Sequence, residues 1–267
     1  MERDDAQADI LNSRRVLREF TLALSFLTII PSAPSVPAKT ELVANSAAYF
    51  GLVGFVLGGA LIALDFLLRP LLDVALRSVV LVMALTVITG AIHLDGLGDT
   101  ADALGAGRER ERALAILRDS RIGNYGAVAI IFALLLKCVA LAGLSGPHRW
   151  IAIYTAPGLA RWAMIAFSSG LPYLRAEGAG SAFFAGGADK ALPCGALTLL
   201  GLLPVLSPSA FAGVVAAAAV AAGARAFYQR WMGGVSGDLI GAAGEISEVA
   251  VLLAVSACAR MAGVALS

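Results

Sequence analysis

The chain is 267 residues long and 59% hydrophobic, and only 15% of it is charged, against about 25% for an ordinary soluble protein. That balance excludes a water-soluble globular domain, and the 29 glycines suit helices that approach one another closely within a bilayer. The formal net charge of +1 says little about partners, because in such a chain the placement of Lys and Arg matters more than their sum; nothing points to nucleic acid, and the lipid bilayer is the expected partner.

Residues 1–19 are charged and lack the apolar core and small-residue cleavage site of a secretory signal, so they read as a cytoplasmic leader with the pattern of a surface helix. Phe20 to Ile30 is apolar, ends at Pro31 and is followed by SAPSVP. It is about half of the ~20 residues that a bilayer core ~30 Å thick requires, and so predicts a short re-entrant or interfacial helix. Seven longer apolar segments follow, at about 43–68, 76–92, 125–144, 149–171, 191–207, 209–228 and 246–265. The expected fold class is all-α, a polytopic membrane helix bundle of about seven transmembrane spans plus the short N-terminal element, forming a single integral membrane domain over residues 1–267. Cys138, Cys194 and Cys258 are far apart, form no CxxC pair, and read as small core residues.

Counting Lys and Arg orients the bundle. Segments 1–42, 93–124, 172–190 and 225–245 hold fourteen of them, whereas the connections on the other side hold three, Arg69, Arg77 and Arg149. Positive residues stay on the cytoplasmic side, so the N-terminus and the longer loops are expected inside and the C-terminus outside. Lys137, Arg161 and Arg260 fall within spans.

The segment after the second span reads HLDGLGDTADAL, from His93 to Leu104. If helical, it sets Asp95, Asp99 and Asp102 at i, i+4 and i+7, one stripe of a helix. Like charges at that spacing repel, and a divalent cation relieves the repulsion; Mg²⁺ in particular is held by a few carboxylates together with phosphate oxygens and water. Against this stands an ordinary solvated acidic loop. His93 by itself reads as an interfacial hydrogen-bonding residue. A second motif, GGVSGDLIGAAGEISE from Gly233 to Glu248, enters the last span with Asp238 and Glu245 seven apart on one helix face. Its glycines would let backbone N–H groups approach phosphate oxygens, or else form a packing turn. Between the two lies RDSRIGNYG, from Arg118 to Gly126. Asp119 could serve the metal or orient an arginine, and Arg118 and Arg121 suit phosphate recognition or anchor the chain at lipid head groups. Arg161, near the middle of a span, needs an answering carboxylate or an anionic ligand, while Lys137 is near enough to the end of its span to snorkel.

These three motifs, in this order and separated by apolar spans, resemble the cobalamin synthase family, the adenosylcobinamide-GDP ribazoletransferases, from about FLTIIP at Phe26 to Glu248. Gly98 stands where the family often has Ala, Ala103 where it often has Gly, and Ser236 where a Thr is common; no acid is lost. The resemblance implies a Mg²⁺-dependent enzyme of the cytoplasmic membrane. It would join adenosylcobinamide-GDP and α-ribazole, or its 5′-phosphate, to give adenosylcobalamin or its phosphate and GMP. It assigns Asp95, Asp99 and Asp102 as catalytic and metal residues, with Asp238 and Glu245 completing the metal set. His93, Arg118, Asp119, Arg121, Arg161 and Ser236 are the candidate substrate contacts. A homo-oligomer, or association with other cobalamin-assembly enzymes, is left open. The competing expectations are a CDP-alcohol phosphotransferase-like enzyme, whose DGxxAR motif would require an arginine that DGLGDT lacks, and a secondary transporter using the intramembrane acids.

Overall fold

Each of the seven long apolar segments meets the need to satisfy backbone N–H and C=O groups away from water by becoming a helix. The computed structural model describes residues 2–32, 40–107, 109–119, 121–174, 183 and 190–263; the SAPSVP stretch from residue 33 onward and most of the loop after Leu174 lie outside them. The helices, in chain order, are α1 (Glu2–Leu27), α2 (Thr40–Ser46), α3 (Phe50–Leu68), α4 (Val74–Ile88), α5 (Ile92–Gly105) and α6 (Arg110–Ile116). They continue with α7 (Asn124–Ala142), α8 (Gly146–Ser168), α9 (Ala191–Leu202), α10 (Pro208–Met232) and α11 (Gly237–Met261).

By length and composition four helices can cross a membrane: the run Glu41–Leu68 through α2 and α3, then α7, α10 and α11, with α4 and α5 together making a fifth if the bent pair counts as one span. The other two expected spans are α8 and α9. Helix α9 with its following turn, Ala191–Val205, is short. Helix α8 has the length, 23 residues, but Tyr154, Thr155, Pro157 and Arg161 dilute its apolar character. Its position explains why that is tolerated: α8 packs against α3, α9, α10 and α11, and 15 of its 23 residues are buried in protein.

The N-terminal region differs from expectation. The charged leader and the apolar segment after it form one continuous 26-residue helix, α1, in place of a leader followed by a separate short helix. Nothing from Glu2 to Leu27 is a helix breaker, and the helix ends just before Pro31. The Ile29 N–H donates to the Ile88 carbonyl at 2.8 Å, tying the end of α1 to the end of α4. The bundle therefore has two ends. One gathers the C-terminal ends of α4, α8 and α10, the start of α7 and α11, and all of α5 and α6. At the other, Arg149 on α8 donates to Asp65 on α3 at 2.8 Å, and Arg77 on α4 donates to the same carboxylate at 2.9 Å.

Candidate functional site

The site begins with a break in the chain. Helix α4 stops at Ile88, and α5 departs from it at 89°. Gly90 (φ 61°) and Ala91 (φ 55°) are both left-handed, and Ala91 is the sole non-glycine with positive φ among the described residues. A left-handed alanine costs on the order of 1–2 kcal/mol, so the surrounding packing must hold this turn in place. Helix α5 consequently lies across the end of the bundle as a wedge. Leu94 and Leu97 pack with Ala133 of α7 and Ala242 of α11. His93, Gly96, Gly98, Thr100 and Ala103 complete the buried face.

Helices α5 and α11 meet backbone to backbone. A methyl group at Gly96 would lie 2.7 Å from the Asp238 carbonyl oxygen and 3.0 Å from its Cα, and one at Gly241 would lie 3.2 Å from the His93 Cα. Only glycine permits this approach, and it sets the Asp238 backbone, in the first turn of α11, against α5 at Gly96. Asp95 is exposed; Asp99 and Asp238 are half-buried. Ser236 is buried and caps α11: its Oγ accepts from the Leu239 N–H at 3.4 Å and donates to Asp238 Oδ2 at 3.4 Å. Ser236 thus orders the turn that carries Asp238.

Asp102, third in the stripe, faces another way. Its Oδ2 accepts from the Gly123 N–H at 2.7 Å and its Oδ1 from the Gly126 N–H at 2.9 Å, across to the start of α7. Arg121 forks onto Asp119, with Nη2 at 2.6 Å from Oδ2 and Nε at 3.0 Å from Oδ1. The Arg121 guanidinium, and after it the Arg121 backbone N–H, donate to the Asp119 carboxyl and hold it below its ordinary range, so the pair stays ionised through neutral pH. Asp119 therefore orients an arginine. Arg118 and Arg121 are both exposed on the loop beside α5.

Glu245 and Arg161 lie deeper, two turns and more from Asp238, in a chain of buried charges. Lys137 of α7 touches Glu245 at 2.5 Å and Glu248 at 2.9 Å, and Arg161 of α8 donates to Glu248 at 2.7 Å. All four are almost wholly buried. His93 is buried beside them, within the field of Arg161, Glu248 and Lys137. The structure thus brings Asp95, Asp99 and Asp238 to one crossing and puts Arg118 and Arg121 on the adjoining loop. Glu245, Arg161 and His93 go to the layer beneath. Glu248 and Lys137 were not among the expected site residues. The signal was available: Lys137 and Arg161, two of the three cations within apolar segments, require acids near them, and Glu245 and Glu248 stand at the entry to the last span. Asp65 answers Arg149 and Arg77 at the opposite end by the same logic.

Among the described residues no group of three or more His, Cys, Asp and Glu is placed to hold a metal ion on its own. The chemistry of the acids at the crossing still fits Mg²⁺, a hard cation that keeps several waters and takes one or two carboxylates along with substrate phosphates. Asp95 is exposed and Asp99 and Asp238 are half-buried at this crossing, where one or two of them would serve, whereas both oxygens of Asp102 accept from backbone N–H groups and Glu245 pairs with Lys137.

Comparison with known proteins bears on the whole chain. A family profile described as cobalamin-5-phosphate synthase matches residues 19–256. A protein of Geotalea daltonii named adenosylcobinamide-GDP ribazoletransferase is 35% identical over 245 residues, covering 89% of this chain and 96% of its own length. Proteins of the same name from Roseiflexus sp. and Syntrophobacter fumaroxidans are 38% and 37% identical, covering 90% of this chain in each case and 89% and 98% of their own lengths. No solved structure matches. The match spans the α5 wedge, the arginine loop and the start of α11, and the chain belongs to the cobalamin-5-phosphate synthase family.

Proposed function

We propose that this protein is the transferase that closes the nucleotide loop of cobalamin, working at the α5–α11 crossing on the cytoplasmic side of the membrane. It joins adenosylcobinamide-GDP to α-ribazole or its 5′-phosphate and releases GMP. The family membership and the relatives' shared name support the reaction class. The observation that carries the location is the glycine-to-backbone contact of Gly96 with Asp238, which draws two acidic motifs more than 130 positions apart in the chain onto one edge of the bundle.

A ribose hydroxyl of the ribazole other than the 5′ one, which the 5′-phosphate blocks, forms a bond from its oxygen to the phosphorus that bears the corrinoid, and the bond from that phosphorus to the oxygen of the GMP phosphate breaks. The hydroxyl proton passes to an aspartate, and GMP leaves with the electron pair. One or two of Asp95, Asp99 and Asp238, together with the substrate pyrophosphate, would hold Mg²⁺, which would supply neutralisation of the charge on the departing GMP. The exposed Arg118 and Arg121 contact the phosphates from the loop, with Asp119 orienting Arg121. Beneath them, α5 and its apolar contacts to α7 and α11 keep the acids on a rigid element, where positioning has most effect on rate. The test is turnover by the purified protein in lipid with Mg²⁺: GMP should appear one for one with corrinoid product on addition of α-ribazole. An absence of GMP from active, folded protein would overturn the reading.

A further inference from the structure

The third aspartate of the stripe is built into the scaffold. Both Asp102 carboxylate oxygens are occupied by N–H groups of the first turn of α7, at 2.7 and 2.9 Å. These lie where the partial positive charge of a helix N-terminus is concentrated, and a carboxylate there satisfies donors that would otherwise be orphaned. The fit is close on every side. A methyl group at Gly123 or at Gly126 would collide with the Asp102 carboxylate, and one at Gly126 would also lie 2.8 Å from the Gly98 carbonyl oxygen. One turn further along α5, the ring of Tyr125 lies over Gly105. The segment between α5 and α7, which carries Arg118, Asp119 and Arg121, is thus held at two points: Arg110 Nε donates to the Met232 carbonyl at 2.9 Å near its start, and Asp102 grips its return.

We infer that Asp102 is a positioning residue, a latch that holds the return of the arginine-bearing loop against the C-terminal part of α5 by binding the Gly123 and Gly126 N–H groups, and that it is not a metal ligand. The inference rests on the proposed reaction only for which substrate group the arginines meet. The latch itself is a property of the chain. It gives Asp102 a job of its own within the acidic stripe, that of binding the start of α7.

Two readouts on the full-length protein in detergent test this, applied to Asp102→Ala, Gly126→Ala and Asp99→Asn beside wild type. Trypsin cleavage at the exposed Arg118 and Arg121 reports the loop directly. Loss of the latch should speed cleavage by about tenfold or more in D102A and in G126A, because charge-assisted hydrogen bonds to two backbone N–H groups are lost, and should leave D99N at the wild-type rate. In turnover, both latch variants should raise KM for adenosylcobinamide-GDP, while the Mg²⁺ concentration for half-maximal rate stays within about twofold, since no ligand is removed. Asp102→Asn keeps one acceptor oxygen and should cleave at an intermediate rate. D102A cleaved like wild type, with its Mg²⁺ requirement raised about tenfold as for a lost ligand, would overturn the proposal. If wild type releases no GMP, the reading of the reaction fails, and the cleavage comparison still decides the latch.

Discussion

Replacing Glu248 by Gln should destabilise this protein more than replacing Glu245 by Gln, although the two acids are a single turn apart on α11 and both touch Lys137. Arg161 and Lys137 supply two positive charges against the negative charges of Glu245 and Glu248, and side-chain exposure is 8% or less for all four. The pairing is unequal. Among the described residues Arg161 meets a carboxylate at Glu248, whereas Lys137 meets both acids. Losing Glu245 leaves Lys137 with Glu248 at 2.9 Å, and the loss is that of one charge-assisted hydrogen bond, about 1.5–3 kcal/mol. Losing the Glu248 charge leaves, among the described residues, a buried guanidinium with neutral acceptors, the introduced amide oxygen and the Pro157 carbonyl at 3.4 Å, and stranding a buried charge costs about 3–5 kcal/mol. The assay is reversible unfolding of purified protein in mixed micelles, with Arg161→Met, Glu248→Met and the double variant of the two forming a cycle. The double variant should lose less than the sum of its singles, with a coupling of about 1–3 kcal/mol. Equal losses for E248Q and E245Q, or additivity in the cycle, would refute the argument.

Gly96→Ala should place a methyl group against the Asp238 backbone, push α5 from α11 at a cost of about 1–3 kcal/mol, and cut turnover while the protein still inserts; normal turnover in liposomes would show that the crossing does not matter. Ser236→Ala removes the α11 cap. It should cost about 0.5–1 kcal/mol, the low end for a cap because the bond is 3.4 Å long, and Ser236→Thr should recover it, as read by thermal unfolding. Arg149→Met leaves Asp65 paired, among the described residues, with Arg77 and should lower stability by about 1.5–3 kcal/mol without changing KM for either substrate, since it acts at the opposite end of the bundle.

Much of the helical layout is legible in the sequence because hydrocarbon thickness sets segment length. Residues 125–144 and 209–228 correspond closely to α7 and α10. The acidic stripe is legible for a similar reason: i, i+4, i+7 spacing needs only that residues 92–105 be helical, as they are. Local pattern says less where the geometry comes from a distant partner. Gly90 marks a break, but an alanine in the left-handed region has no sequence signature, so the 89° turn that makes α5 a wedge is not visible in a continuous apolar run. Asp102 bonds to glycines 21 and 24 positions on, and Lys137 to an acid 108 positions on. Periodicity puts Asp102 and Glu245 on the expected helix faces, while their partners across the bundle decide what each carboxylate does.

If phosphoryl transfer occurs at the α5–α11 crossing, Asp99→Asn is the substitution that exposes it, because it keeps side-chain size and removes one charge. GMP release from adenosylcobinamide-GDP should fall by about a thousandfold or more in lipid with Mg²⁺, in line with losing a group that stabilises transition-state charge, while the variant inserts and unfolds like wild type. Turnover within a few fold of wild type would contradict the placement of the site.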